Sequence, residues 1–202
     1  LAEIAHIVLS AATLDDGVAH VAALLGTTFS DIGHHPYMGT HNRLVGLGPG
    51  LYLEVIAIDP AAPHPGRARW FGLDHFSGPP RLTNWMVRTG DLDADLARCP
   101  PGTGSAVFLS RNDFRWRVAL GDTGRFPFDD IFPGLIQWEG DAHPAARLPD
   151  QGIRLLALEV STPDPAALAA ALPGIDDSRL WIVQGATGIR AQLSTPRGDA
   201  WL

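Results

Sequence analysis

The feature that most constrains this chain is a pattern written twice: a strand, a helix, then three more strands. Residues 3–10 alternate as a strand, with His6 sharing a face with Ile4 and Val8. Thr13-Leu14-Asp15-Asp16 is a helix-capping signal, and Val18, Val21 and Leu25 recur at helical spacing up to Gly26. Thr27 to Ser30 reads as a short second strand and Asp31 to Met38 as a polar loop. Two more strands complete the unit by Ala57. After a connection rich in Pro, Gly and His, in which Trp70-Phe71-Gly72-Leu73 reads as an apolar anchor, the pattern returns. Residues 82–87 read as a strand, and Gly90 to Ala97 opens a helix. Three strands follow at Ala106 to Leu109, Phe114 to Leu120 and Pro133 to Trp138. Laying Leu92-Asp93 over Leu14-Asp15 places Asn84 on His6, Trp85 on Ile7 and Met86 on Val8. It places Gln137 near Glu54, with one residue of slack.

The last two strands of the first unit, residues 41–47 and 51–57, flank Gly48-Pro49-Gly50 and predict a tight hairpin. In the second of these strands Leu51, Leu53 and Val55 point one way, and Tyr52, Glu54 and Ile56 the other. Glu54 thus stands mid-strand between a Tyr and an Ile. A carboxylate there needs a cation, a metal or several donors.

A shorter third unit follows. Leu155 to Val160 reads as a strand, and Thr162-Pro163-Asp164-Pro165 caps an Ala-rich helix with Pro at its first position. Leu180 to Gln184 and Ile189 to Leu193 read as a hairpin across Gly185 to Gly188. Leu155 falls on His6, so this unit has no ligand chemistry and reads as structural cover. The fold class expected is α+β: paired βαβββ modules forming an open, incomplete β-barrel, with an extra C-terminal βαββ unit. The modules occupy residues 1–142 (about 1–60 and 80–140), and the third unit occupies 153–202, packed on the same domain.

Composition narrows the function classes. With 46% hydrophobic and 18% charged residues, the 202-residue chain is that of an ordinary globular protein. A net charge of -7, with every basic side chain an Arg, argues against nucleic acid as a partner. No apolar run is long enough for a membrane span, so no membrane partner is expected. The single Cys99 excludes an internal disulfide and fits a reducing, cytoplasmic setting. Cys99 has no visible base beside it and is not read as a nucleophile. The composition suggests a bacterial source.

The early His6, the segment Tyr37-Met38-Gly39-Thr40-His41-Asn42 and the run Tyr52 to Pro60 resemble the glyoxalase-like domains of the vicinal oxygen chelate superfamily. So do Arg69 to Asp74, Pro80 to Trp85, and Pro133 to Trp138 followed by His143-Pro144. The resemblance implies a barrel around a divalent metal (Mn, Fe, Ni, Co or Zn). It implies a small-molecule enzyme, whose metal chelates adjacent oxygens of a small metabolite in lyase, isomerase or dioxygenase chemistry. His6 and Glu54 match two ligands of the family and are the candidate catalytic pair. Asn84 and Gln137 stand where the other module normally supplies stronger ligands, and as neutral amides they are weak ones. His41, Asn42, Tyr52, Trp85 and Trp138 are the candidate substrate-pocket residues. The partner expected is a small-molecule substrate, and a homodimer is one assembly open to the chain.

Two readings of His6 and Glu54 stand side by side. Either they hold a metal, or they are a buried hydrogen-bonded pair in a metal-free protein that sequesters a drug or metabolite. The histidines His34, His35, His64, His75 and His143 lie beside Pro or Gly and are expected mostly in solvent, with His34-His35 able to line the mouth.

Overall fold

The computed structural model describes residues 2–140 and 142–202. Leu1 and Asp141, both inside the two-module range, lie outside the described residues. The chain runs β1 (Glu3–Ser10), α1 (Leu14–Leu25), β2 (Gly33–His35), β3 (Thr40–Gly46) and β4 (Tyr52–Ile58). It continues β5 (Arg81–Arg88), α2 (Leu92–Leu96), β6 (Ser105–Arg111), β7 (Phe114–Leu120) and β8 (Gly134–Glu139). A last unit comprises β9 (Arg154–Thr162), α3 (Pro165–Ala171), β10 (Leu180–Gln184), β11 (Gly188–Thr195) and β12 (Gly198–Trp201).

Eight strands form one sheet in the order β2-β3-β4-β1-β5-β8-β7-β6. Its edges come together where Arg111 Nη1, from β6, lies 3.0 Å from His35 Nε2, from β2. The sheet is therefore curled into an open barrel, and each half is a βαβββ module. The fold is the α+β arrangement expected, with a separate four-stranded sheet, β10-β9-β11-β12, from the C-terminal unit.

Helix α1 forms where the sequence signals it. The Thr13 hydroxyl accepts the Asp16 N–H, and Gly26 closes the helix in the left-handed conformation. Its buried face is Leu14, Gly17, Val21 and Leu25. A Cβ at Gly17 would lie 2.6 Å from Val55 Cγ1, so glycine lets the helix sit directly on the outer side of β4. That packing leaves Tyr52, Glu54 and Ile56 to the barrel interior. The β3–β4 hairpin closes through Leu47 and Leu51, whose N–H and C=O bond at 3.0 Å. The Trp70–Phe71 segment is buried as an anchor, with Trp70 Nε1 donating to Thr40 Oγ1 at 3.2 Å.

Two expected elements differ. Thr27 to Ser30 is not a strand. Gln151 takes its place as a ladder partner: its Oε1 accepts the Thr28 N–H at 2.8 Å and its Nε2 donates to the Thr28 carbonyl at 3.0 Å. The short edge strand lies further on, at Gly33–His35, inside the expected loop. Likewise β10 and β11 do not pair with each other. They flank β9, β10 parallel and β11 antiparallel. The intervening loop is pinned across the end of β9 by Gly185 N–H to the Thr162 carbonyl and Ser161 Oγ to the Ala186 carbonyl. In this arrangement both edges of β9 are paired.

Candidate functional site

Side-chain alternation aims four adjacent strands at one space inside the barrel. β1 supplies His6, β4 supplies Tyr52 and Glu54, β3 supplies Asn42 and β2 supplies His35. The space they line is a narrow cleft of about 50 Å³ that opens to solvent. Its far wall comes from the second module and is apolar and aromatic: Met86, Trp116, Ile136 and Trp138.

His6 Nε2 lies 3.3 Å from Glu54 Oε2, and Asn42 Nδ2 donates to Glu54 Oε1 at 2.6 Å. The His6 ring stacks on Tyr52 with centroids 4.5 Å apart. All three polar side chains are buried. Burial pushes the Glu54 carboxyl upward, but the hydrogen bond and charge of His6 and the hydrogen bond of the Asn42 amide outweigh it. The net shift is downward, and Glu54 stays ionised. Burial pushes His35 and His143 down to about 4, which leaves both rings neutral at pH 7. It also raises the Tyr52 phenol well above its usual range. Arg111 is the cation that lines this cavity, and among the described residues it has no carboxylate partner. Nδ1 of His6, Nδ1 of His35 and Nε1 of Trp138 are buried without a partner. The space is thus polar on one side, with donors and acceptors to spare, and greasy on the other.

The sequence placed His6, Glu54, Asn42, Tyr52 and Trp138 here, and all five line the cavity. Four other candidates lie elsewhere. His41 is on β3 beside Asn42 and so projects from the opposite, outer face, where it pairs across the strands with His34. Trp85 is likewise turned outward from Met86 and donates its indole N–H to the Ile131 carbonyl at 2.8 Å. Asn84 sits deeper along β5, in a neighbouring depression beside Asp130, and its Nδ2 donates to the Asp130 carbonyl at 3.2 Å. Gln137 faces away between Ile136 and Trp138. Its Oε1 accepts the Leu92 N–H and its Nε2 donates to the Gly90 carbonyl, so both ends of the amide secure the start of α2.

Register explains the Gln137 misplacement. His6 pairs with Met86 and Val8 with Asn84, as the offset placing Asn84 on His6 requires of a two-fold pair. Val8 stands beside Glu54, and its counterpart Met86 stands beside Gly134. The position equivalent to Glu54 is therefore Gly134, which has no side chain. A Cβ there would lie 2.3 Å from Met86 Sδ, so the methionine fills the space a second carboxylate would need. A barrel metal gripped by both modules does not fit these residues: one module offers a His and a Glu, and at the equivalent positions the other offers Asn84, whose amide is turned to the Asp130 carbonyl, and Gly134.

Several cavity residues stood outside the candidate set, although His35 was read as able to line the mouth. His35 is on a three-residue edge strand too short for periodicity to show. Arg111 ends β6 just before a two-residue turn, where an Arg usually means solvent. Phe114 and Trp116 alternate correctly along β7, and that spacing is the signal that could have found them.

Among described residues, the one group of three metal-ligating side chains whose donor atoms converge within 4.8 Å is His34, His41 and Asp59, on the outer face of β2, β3 and the end of β4.

Comparison with known proteins agrees with this architecture. No curated protein matches the sequence. A hypothetical protein from Staphylococcus aureus superposes with a TM-score of 0.59 at 15% identity, over 93% of this chain and 87% of that one. Methylmalonyl-CoA epimerase from Mycobacterium tuberculosis superposes at 0.44 with 18% identity, over 71% and 91% of the two chains. These likenesses concern the fold, and the epimerase overlap is too loose to carry chemistry. The model of the glyoxalase-like domain matches residues 4–175. The chain belongs to the glyoxalase-like domain family of the vicinal oxygen chelate superfamily.

Proposed function

We propose that the protein is a small-molecule enzyme that transfers a proton in the barrel cavity without a metal shared between its modules. The observation that carries this is the buried, ionised Glu54 held by His6 and Asn42 against a wall of Met86, Trp116 and Trp138. A buried carboxylate costs stability that apolar packing would not, so its place at an open cavity favours a chemical role. The substrate this geometry fits has an apolar body for the aromatic wall and a carbonyl or carboxylate oxygen for Arg111. Glu54 would take a proton from the carbon next to that carbonyl, and Arg111 would offset the negative charge developing on oxygen. His6, with Nδ1 unpartnered, keeps Glu54 oriented.

A second reading is the sequestering protein, favoured by the continuous aromatic wall. A third keeps a divalent ion (Mn, Fe, Ni, Co or Zn) on His6 and Glu54 alone. It is favoured by the 3.3 Å between their donor atoms, the spacing of neighbouring ligands on one ion. One experiment separates the three. A panel of aromatic ketones and 2-oxo acids is incubated with the protein in D2O, with and without chelator, and deuterium uptake is followed by NMR. Uptake that survives chelator and vanishes in Glu54→Gln supports the proposal. Binding, seen as quenched tryptophan fluorescence, without uptake establishes the sequestering reading. Uptake lost with chelator returns the metal.

A further inference from the structure

The outer face of the sheet carries a constellation that the cavity chemistry does not use. His34 and His41 are directly opposite each other on β2 and β3. Such cross-strand neighbours have Cβ atoms about 5 Å apart, close enough for both rings to reach one ion. Asp59 follows β4 two residues beyond Ala57, the β4 partner of His41, and so on the same face. The Asp59 carboxylate is already aimed. One oxygen, Oδ1, is fixed by the Ala61 N–H at 2.9 Å, and the other, Oδ2, lies 2.7 Å from His34 Nδ1. Asp59 is buried, and its backbone N–H is anchored on the Gly39 carbonyl. His41 Nε2 is buried and has no hydrogen-bond partner. An imidazole nitrogen hidden from water and left unpaired costs free energy, and the charged groups that act on this ring are Asp59, His34 and Asp15. The three donor atoms lie within 4.8 Å of one another.

We propose that His34, His41 and Asp59 form a divalent-metal site on the outside of the barrel, separate from the His6–Glu54 cavity. Two imidazoles and one carboxylate suit Zn, Co or Ni rather than Ca or Mg, which prefer all-oxygen shells. The half-exposed His34 leaves the ion open to solvent, so a water or an external ligand completes its shell. Strand alternation gives the site a consequence. His34 is followed by His35, and His41 by Asn42, and these neighbours face the cavity on the other side of the same two strands. An ion gripping His34, His41 and Asp59 clamps the edge strand β2 onto β3 and β4. It thereby holds the strand segments that present His35 and Asn42 to Glu54. The inference does not rest on the reaction assigned to the cavity.

The test is titration of metal-stripped protein with Zn and Co, by calorimetry and by the visible absorption of bound Co, with thermal unfolding in parallel. One ion is expected per chain, with tetrahedral or five-coordinate Co bands and an unfolding temperature that rises with Zn. His34→Ala, at an exposed position that leaves the core intact, and His41→Ala should each weaken binding at least about 100-fold, as loss of one of three ligands does. His6→Ala and Glu54→Gln should leave the affinity and the Co spectrum unchanged. Binding that survives both His34→Ala and His41→Ala overturns the site, as does absence of binding to the parent. Binding lost only in His6→Ala moves the ion into the barrel, and also overturns it.

Discussion

Replacing Asn42 by Leu tests whether Glu54 is held as a buried anion. Leu nearly conserves volume, so the change removes a donor without opening a void. In the parent, Asn42 Nδ2 donates to Glu54 Oε1 at 2.6 Å, with both side chains buried. A hydrogen bond to a charged group contributes about 1.5–3 kcal/mol, here beside the apolar side chains of Leu44 and Met86. The variant should lose that amount at pH 7, which for a chain of this size lowers Tm by about 3–12 °C. The sign of the pH dependence follows from the Glu54 shift. The folded-state pKa is below the unfolded value of about 4.3, so the stability Glu54 contributes is present above that pH and is lost as pH falls through the folded pKa. Without Asn42 the depression is smaller, so acid destabilisation begins at a higher pH. Parent and variant should differ most at neutral pH and converge in acid. Urea unfolding at pH 7 and at about pH 3.5 measures both effects. A loss below about 0.5 kcal/mol at pH 7, or an equal loss at both pH values, would refute the picture of an ionised Glu54 steadied by this amide.

Two further changes probe the second module. Gln137→Ala removes both bonds to the start of α2 and should cost about 1–2 kcal/mol in urea unfolding while leaving ligand quenching of tryptophan fluorescence unchanged; altered ligand affinity would place Gln137 back in the cavity. Gly134→Ala forces the flexible end of Met86 aside, since the new Cβ would meet Sδ at 2.3 Å, and should cost about 1–3 kcal/mol and reduce ligand affinity as the thioether moves into the cavity; parent-like stability would show that Met86 has room to spare.

The sequence by itself determined the elements of the barrel apart from the short edge strand β2. Period-two alternation, the Thr13 cap and the Gly-Pro-Gly turn each act within a few residues, and such local signals survive in one dimension. The same alternation put His6, Tyr52 and Glu54 toward one interior. Partnering across the sheet was decided only in three dimensions. A register error of an odd number of residues reverses every side chain, and the repeat laid Gln137 over Glu54 where the strand pairing lays Gly134, three residues earlier, so it assigned an inward role to an outward amide. Gly134, the residue that stands opposite Glu54 in the two-fold relation, has no side chain to leave a signal. Its identity comes from the pairing of Met86 with Gly134. The same holds for His35 and Arg111, which are remote in sequence and meet only because the two edges of the curled sheet close on each other. His34, His41 and Asp59 likewise come from a short edge strand, its neighbour and the end of a third, and only the curved sheet gathers their donor atoms at one point.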